Sequence, residues 1–222
     1  MKKREVEKLT DLELVKELKQ RLKKRPVIKL KEYFSNPEID VFLEELYRRY
    51  QTPIRNFCSK IIFDKDSLDD IFHEVFINIY LNIHRFKMKK SVKSWIYKIS
   101  HNVAINFINK RHHKEKLILN KKLMKNKSNS MEMLEMLLED KEDIEQHMFK
   151  RELKSKVLKA FEQLPPDMKA IYILHEELNF TFDDIADIIR LSSRQVKTKY
   201  KKLILFMRNE LQKDQITTKY LD

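Results

Sequence analysis

Apolar residues recur every three or four positions along most of the chain, a spacing that predicts α-helices. The first segment of this kind has its apolar positions at Leu9, Leu12, Val15, Leu18 and Leu22. Thr10 and Glu13 form a T-x-x-E capping box at its start, and Pro26 follows its end. The pattern therefore predicts a helix over about residues 11–24.

The spacing becomes tighter from Asp40 onwards and predicts three further helices. The first places six apolar residues on one face: Phe42, Leu46, Tyr50, Ile54, Phe57 and Ile61. Pro53 predicts a break or kink within it. The second has a capped start at Ser67 with Asp70, and its inward-facing residues are Leu68, Phe72, Val75, Phe76, Ile79 and Ile83. The third is SVKSWIYKISHNVAINFINKRHHK, which follows the loop HRFKMKK.

These helices predict one compact domain over residues 38–113, preceded by a charged extension at 1–37. Regular spacing is lost over 114–147, where KNKSNS predicts a linker, and it returns near residue 148. The stretch LPPD ends one helix and starts another, because proline suits a first helical turn and not an interior. We expect a second domain, a four-helix bundle, over 148–213, and a frayed tail over 214–222.

The sharpest local signal is a helix–turn–helix over residues 181–204, TFDDIADIIRLSSRQVKTKYKKLI. Thr181 caps a first helix whose inward residues are Phe182, Ile185, Ala186 and Ile189. Leu191 fills the turn. Arg190 occupies the turn position that most often holds glycine, and a positive φ there costs roughly 1 kcal/mol.

The second helix of this motif begins with an S-x-x-Q capping box, Ser192 with Gln195, and is expected to bury Val196 and Tyr200. Its other polar residues spread over the outward faces: Ser193, Arg194, Lys197, Thr198, Lys199, Lys201 and Lys202. A recognition helix presents its first turns to base edges and its cations to phosphates. The pattern therefore indicates binding to duplex DNA.

The composition supports an all-α fold, because the 222-residue chain contains no glycine. Glycine is the residue that supplies positive φ in hairpins, dinucleotide-binding turns and phosphate loops, so its absence argues against those folds. The single cysteine, Cys58, excludes an internal disulfide, points to a reducing cytosol, and is interpreted as a small buried apolar residue. No apolar stretch is long enough to cross a membrane, and no secretory signal is recognisable.

The net charge of +13 is distributed unevenly. Residues 85–127 hold 14 Lys and Arg against one acid, and residues 190–222 hold nine against three, whereas 64–74 and 132–145 are acidic. Basic stretches that alternate with acidic ones indicate a polyanionic partner on some surfaces and a different partner on others.

A second nucleic-acid signal lies in the basic region, where aromatic and amide side chains alternate with cations. The set comprises Lys90, Lys93, Trp95, Tyr97, Lys98, Asn102, Asn106, Phe107, Lys110 and Arg111. Aromatic platforms stack on bases while cations hold phosphates, as single-stranded nucleic acid requires. For Trp95 a place in the core is an equally good interpretation.

Catalytic and metal chemistry find no support in the sequence. The adjacent His112 and His113 diverge by about 100° on a helix and lack partner ligands. No nucleophile–base order or carboxylate pair is recognisable. We therefore expect neither an enzyme nor a cofactor.

Taken in order, these blocks resemble a bacterial RNA polymerase sigma factor of the extracytoplasmic-function class of the sigma-70 family. FLEELYRRYQTPIRNF with SLDDIFHEVFINIYLNI is similar to the start of that family's second region, and FKMKKSVKSWIYKISHNVAINFINKRHH to its −10 segment. LPPDMKAIYILHEELNFTFDDIADIIRLSSRQVKTKYKKL is similar to the fourth region, which reads the −35 element. Asn106, Asn179, Arg190 and Arg194 depart from residues that the family often has, and 20–39 resembles an insertion.

The resemblance implies three sets of site residues. The core-polymerase set is Asp69, Asp70, His73, Glu74 and Asn78. The melted −10 strand set is Lys90, Lys93, Trp95, Tyr97, Lys98, Asn102, Asn106, Lys110 and Arg111, with the 84–93 loop. The −35 duplex set is Ser192, Ser193, Arg194, Gln195, Lys197, Thr198, Lys199 and Lys201.

The resemblance also implies partners and a cellular place. The partners are the clamp coiled coil and flap of core polymerase, and promoter DNA in duplex and melted form, with an anti-sigma factor left open. The protein would act in the bacterial cytoplasm and would associate with the nucleoid through its binding to polymerase. Its linker would run toward the active-site and RNA-exit channels of polymerase. Two alternatives stay open: a stand-alone dimeric helix–turn–helix regulator, and a helical protein that binds membrane or RNA through 85–127.

Overall fold

The computed structural model describes residues 3–24, 41–64, 66–89, 91–119 and 144–212. Within these ranges the chain is helical apart from short turns and contains no β-strand. The prediction of an all-α fold is therefore confirmed. Most residues up to Asn109 group into one compact unit and most later residues into a second.

The N-terminal unit is built from five α-helices and one short 3₁₀ turn within the described part of the chain. The helices are α1 (Lys3–Val6), α2 (Asp11–Lys24), α3 (Val41–Ile62), α4 (Leu68–Asn82) and α5 (Val92–Leu119), and the 3₁₀ turn covers Ile83–Arg85. Helix α3 packs against α1, α2 and α4, and the 3₁₀ turn packs against α2 and α4.

The predicted apolar face of α3 is confirmed, since all six of its residues are buried. Aromatic rings continue this core: Tyr47 of α3 packs edge-on against Phe72 of α4, with ring centroids 5.2 Å apart. Of the break or kink predicted at Pro53, the break is wrong, because α3 runs through Pro53 without interruption. Pro53 is exposed, so water can replace the backbone hydrogen bond that proline cannot make.

The predicted side-chain cap at Ser67 is also wrong. Ser67 has a helical backbone and makes no capping hydrogen bond; its hydroxyl donates instead to Asp64 Oδ2, 3.1 Å away. Asp64 also accepts from the Asp66 N–H at 3.2 Å. A capping residue usually has an extended backbone, so the helical conformation of Ser67, φ −92° and ψ −3°, accounts for the missing cap.

Helix α2 has the predicted bounds and the predicted capping box. The Glu13 N–H donates to Thr10 Oγ1 at 3.3 Å, and the Thr10 N–H donates to Glu13 Oε2 at 2.7 Å. Leu14 lies in the core, whereas the predicted Leu12 is 41% exposed. The helix therefore docks through a slightly rotated face.

The C-terminal unit is a bundle of four α-helices within the described residues. The helices are α6 (Ile144–Glu162), α7 (Pro166–Tyr172), α8 (Phe182–Ile189) and α9 (Ser193–Gln212), and a π-helical turn over Ile173–Glu177 extends α7. Helix α9 packs against α6 and α7. Pro166 opens α7 directly after α6 and a short turn, as the LPPD stretch predicts.

Both helices beside the predicted linker extend into it, since α5 reaches Leu119 and α6 begins at Ile144. The rest of that segment, the tail and the predicted insertion after residue 24 lie outside the described residues. Cys58 is 1% exposed, as expected of a small core residue, and burial raises the pKa of its thiol to about 12. Among the described helices, none has the length and apolar character to span a bilayer.

Candidate nucleic-acid and protein interfaces

The predicted cap at Thr181 and the predicted capping box at Ser192 are both confirmed, and Thr181 also forms a full capping box with Asp184. At the start of α8, the Asp184 N–H donates to Thr181 Oγ1 at 3.2 Å and the Thr181 N–H donates to Asp184 Oδ2 at 3.3 Å. At the start of α9, the Gln195 N–H donates to Ser192 Oγ at 3.2 Å and the Ser192 N–H donates to Gln195 Oε1 at 2.9 Å. Because each box satisfies orphan donors at a helix end, the two helices begin at defined residues.

The turn between α8 and α9 is closed by a left-handed residue. Arg190 has φ 59° and ψ 42°, which confirms the predicted positive φ. The Leu191 N–H donates to the Ala186 carbonyl at 3.1 Å. The buried side of the motif includes Ile188, which is 0% exposed and which the sequence analysis did not include. Its spacing of three from Ile185 was the available signal.

The outward face of α9 carries most of the predicted duplex-binding residues. Exposed are Ser192, Arg194, Gln195, Lys197, Thr198 and Lys201, while Ser193 and Lys199 are half-buried. The Thr198 hydroxyl donates to the Arg194 carbonyl at 2.9 Å. Lys199 Nζ lies 3.6 Å from Asp167 Oδ2, so this cation already has a partner at the start of α7.

An aromatic cluster, His175–Phe182–Tyr200, joins the π-helical turn to α9. The His175 ring stacks on Phe182 with centroids 4.3 Å apart, and Tyr200 meets it edge-on at 5.1 Å. The Tyr200 hydroxyl donates to Glu176 Oε1 at 2.6 Å, and this hydrogen bond raises the pKa of Tyr200 to about 12. Tyr200 is half-buried and not fully buried as predicted. The cluster ties α9 to the π-helical turn.

The acidic face of α4 is exposed in the N-terminal unit. Asp69, Asp70, His73 and Glu74 are exposed and Asn78 is half-buried. Asp69 forms an ion pair with Arg55 of α3, whose guanidinium also lies 4.4 Å from the Phe72 ring centroid. Arg55 therefore offsets part of the negative charge at Asp69, and the acidic character of this face rests mainly on Asp70 and Glu74.

The predicted melted-strand residues do not all reach the surface. Tyr97 is 1% exposed and packs edge-on against Phe57, with centroids 5.2 Å apart, so it is a core residue and cannot stack on a base. Its position i+2 from Trp95 puts it on the other side of the helix. Trp95 is half-buried and packs against the Phe86 ring at 5.1 Å.

The remaining members of this set lie along one long helix. Lys93, Asn106, Lys110 and Arg111 are exposed, and Lys98 and Asn102 are half-buried. Lys90 lies outside the described residues. An exposed series of cations and amides beside one half-buried tryptophan can hold phosphates and one or a few unstacked bases.

Comparison with known proteins identifies both units. The family Sigma-70 region 2 matches residues 46–114, and Sigma-70 region 4 matches residues 154–203, together more than half of the chain. The chain is 25% identical over 178 residues to the ECF RNA polymerase sigma factor SigX of Bacillus subtilis, covering 77% of this chain and 88% of that protein. It is 23% identical over 167 residues to the ECF RNA polymerase sigma-E factor of Haemophilus influenzae, covering 75% and 86%.

Solved structures agree with this fold. The sigma factor RpoE of Bartonella quintana, in complex with the anti-sigma factor NepR, aligns with a TM-score of 0.54 at 14% identity and covers 77% of this chain and 97% of its own. CnrH, in complex with the cytosolic domain of CnrY, aligns with a TM-score of 0.56 at 10% identity and covers 92% and 98%. With region 2 and region 4 both matched in the expected order, the chain belongs to the extracytoplasmic-function class of the sigma-70 family of RNA polymerase sigma factors.

Proposed function

We propose that this sigma factor divides promoter recognition between its two units while its acidic face holds core polymerase. Helix α9 grips the duplex of the −35 element. The start of α5 and the residues before it hold the melted −10 strand. The exposed face of α4, with Asp70 and Glu74 at its centre, docks on the clamp coiled coil of polymerase, and the C-terminal unit contacts the flap.

The acidic face of α4 is the observation that carries this proposal. Its carboxylates are exposed on a chain whose net charge is +13. Negative charge repels DNA and favours a cationic protein surface, so a chain that only bound nucleic acid would gain nothing from it. A stand-alone dimeric regulator is not favoured for the same reason, and the match to region 2 argues against it as well.

Trp95 can offset part of the free-energy cost of unstacking a base from the melted strand. Extruding a base from the stack costs a few kcal/mol. Stacking on an aromatic side chain returns about 1–3 kcal/mol per base. Because Tyr97 is buried, Trp95 is the member of the predicted set best able to supply that stacking, with Asn102 and Asn106 as hydrogen-bonding partners for base edges.

The same proposal implies where the protein acts and which further partner it binds. The protein acts without catalysis of its own, in the cytoplasm, and joins the nucleoid through polymerase. An inhibitory protein that covers these faces is a further expected partner, since RpoE of Bartonella quintana binds the anti-sigma factor NepR.

Charge reversal on α4 tests the docking step. The double substitution Asp70→Lys with Glu74→Lys should abolish co-purification with core RNA polymerase, because it turns an attraction into a repulsion. The matched control is Glu44→Lys with Asp66→Lys, which makes the same change in net charge at exposed positions outside α4 and should leave binding intact. Equal binding by both double variants would refute the assignment of this face.

A further inference from the structure

Helix α2 contacts the segment that leads into the proposed melted-strand site, although it lies outside the residues that match region 2. Lys19 Nζ of α2 donates a hydrogen bond to the Phe86 carbonyl at 2.7 Å. Sixty-seven positions separate the two residues along the chain. The contact is partly buried, so water competes for it less than at an exposed site.

Helix α2 is itself firmly anchored, which makes Lys19 a fixed support. Leu14, Val15 and Leu18 are at most 1% exposed. Asp11 accepts from Arg49 Nη1 at 2.8 Å, and it also accepts from the hydroxyl of Tyr50. These contacts hold α2 against α3 at one end of the helix, while its buried face holds the middle.

Phe86 is the residue at which the backbone changes direction. It ends the 3₁₀ turn with an extended conformation, φ −61° and ψ 129°, and its N–H donates to the Ile83 carbonyl at 3.1 Å. Its side chain is 2% exposed and packs against Trp95. With the Lys19 contact, the N–H, the carbonyl and the ring of Phe86 are all held, so the course of the chain after it is set.

The segment that follows Phe86 carries the loop cations and leads into α5. Lys87 and Lys89 are exposed there, and Lys93 follows on the first turn of α5. Lys93 and Trp95 lie on the same helix, α5, which fixes their spacing. The positions of Lys87 and Lys89 relative to Trp95 depend instead on where the backbone leaves Phe86. A change at the Phe86 carbonyl would therefore move Lys87 and Lys89 with respect to Trp95.

We propose that Lys19 is a positioning residue for melted-strand capture, through which α2 sets the geometry of the residues after Phe86. This inference rests on the proposed function, since it assigns a support to the same site. Lys19 touches no DNA in this account. Loss of its charged hydrogen bond should weaken capture of the unpaired strand by between about three- and tenfold, and it should reduce the discrimination between bases.

The test uses the full-length protein in a holoenzyme reconstituted with core polymerase. The probes are three DNAs based on a promoter selected in vitro by the wild-type holoenzyme. One is a fully duplex fragment, and another is a fork whose non-template strand is single-stranded through the −10 element. A second fork carries one changed base at the position most strongly selected.

Four proteins are compared: wild type, Lys19→Met, Lys19→Arg and Lys16→Met. Lys19→Met keeps the aliphatic chain and loses the donor, and Lys19→Arg keeps a cationic donor. Lys16 is exposed on the same helix, so Lys16→Met is the control for the loss of one positive charge. Of the three variants, only Lys19→Met should lose much of the affinity for the fork and the discrimination between bases. Its binding to core polymerase should be unchanged. Lys19→Arg should keep most of the wild-type affinity and discrimination.

Hydrogen exchange of peptides over residues 83–95 gives a second readout that needs no DNA. Lys19→Met should speed exchange there, whereas Lys16→Met should not. If Lys19→Met keeps both fork affinity and discrimination, or lowers only thermal stability, the positioning role is wrong although the proposed function stands. If the wild-type holoenzyme itself does not prefer the fork to the duplex, melted-strand capture is wrong and Lys19 has nothing to position.

Discussion

Replacement of Arg190 by glycine should stabilise the C-terminal unit, although it removes a side chain. Arg190 has φ 59° and ψ 42° at the turn of the helix–turn–helix. A residue with a Cβ pays about 1–2 kcal/mol for this left-handed conformation, because its Cβ approaches the next carbonyl oxygen. Glycine avoids that cost.

The size of the gain follows from two opposing terms. Glycine gives back about 0.5–1 kcal/mol because its unfolded chain is more flexible. The exposed Arg190 side chain contributes little packing. The net increase in unfolding free energy therefore lies between about 0 and 1.5 kcal/mol, and its midpoint of about 0.75 kcal/mol is equivalent to about 3–6 °C in the Tm of a unit of this size.

Controls separate backbone strain from charge. Arg190→Ala removes the same charge and keeps the Cβ, so it should give no gain. Asn179→Gly changes a second residue of positive φ, 56°, but asparagine tolerates this conformation, so its effect should be near zero. The assay is scanning calorimetry of the full-length chain, with the transition of the C-terminal unit assigned by hydrogen exchange. A gain in Arg190→Ala equal to that in Arg190→Gly would refute the strain argument.

Two further predictions concern the C-terminal unit. Burial lowers the pKa of Lys169 from its ordinary value of 10.5 to about 8. Between these two pH values Lys169 binds more protons in the unfolded chain than in the folded one. The unfolding free energy should therefore rise with pH across that window. Urea titrations at several pH values should show this rise to be larger in wild type than in Lys169→Met, and parallel curves would contradict it. For DNA binding, Lys199→Ala should reduce the slope of log affinity against log salt by about 1 if Lys199 holds one phosphate. Asp167→Asn should strengthen duplex binding because it frees Lys199 from its 3.6 Å ion pair; fluorescence anisotropy at several salt concentrations measures both effects, and an unchanged slope in Lys199→Ala would exclude the phosphate contact.

Local rules predicted the helix–turn–helix well because its determinants are near neighbours in the sequence. Both capping boxes join residues three apart, at Thr181 and Ser192. The positive φ of Arg190 lies at the first position of the three-residue turn, 190–192, between two helices. Such features depend on the backbone of a few residues and change little with tertiary context.

Predictions failed where the local backbone conformation or the tertiary fold decided the outcome. Ser67 is typical of a capping residue by type, but its backbone is helical and not extended, so its hydroxyl caps nothing. Tyr97 fits a pattern of aromatics among cations, but packing against Phe57 of a distant helix buries it. A side chain's placement within such a mixed helix depends on what packs against it.

The supports behind the two binding surfaces could not be predicted from spacing at all. Lys19 and Phe86 are 67 positions apart, and no periodicity connects them. The contact between Glu176 and Tyr200 spans 24 positions and starts from a π-helical turn that a 3.6-residue period does not anticipate. These contacts became visible only in three dimensions.

In vitro transcription tests directly whether this chain directs polymerase to promoters and stabilises their melting. The purified full-length protein is added to core RNA polymerase of a bacterium with a library of promoter fragments, and start sites and protected DNA are mapped. We expect initiation at a small set of fragments, with protection at two elements upstream of the start and reactive unpaired bases within the element nearer the start. Transcription no more selective than that of core polymerase alone, or protection of a single duplex element without melting, would contradict it.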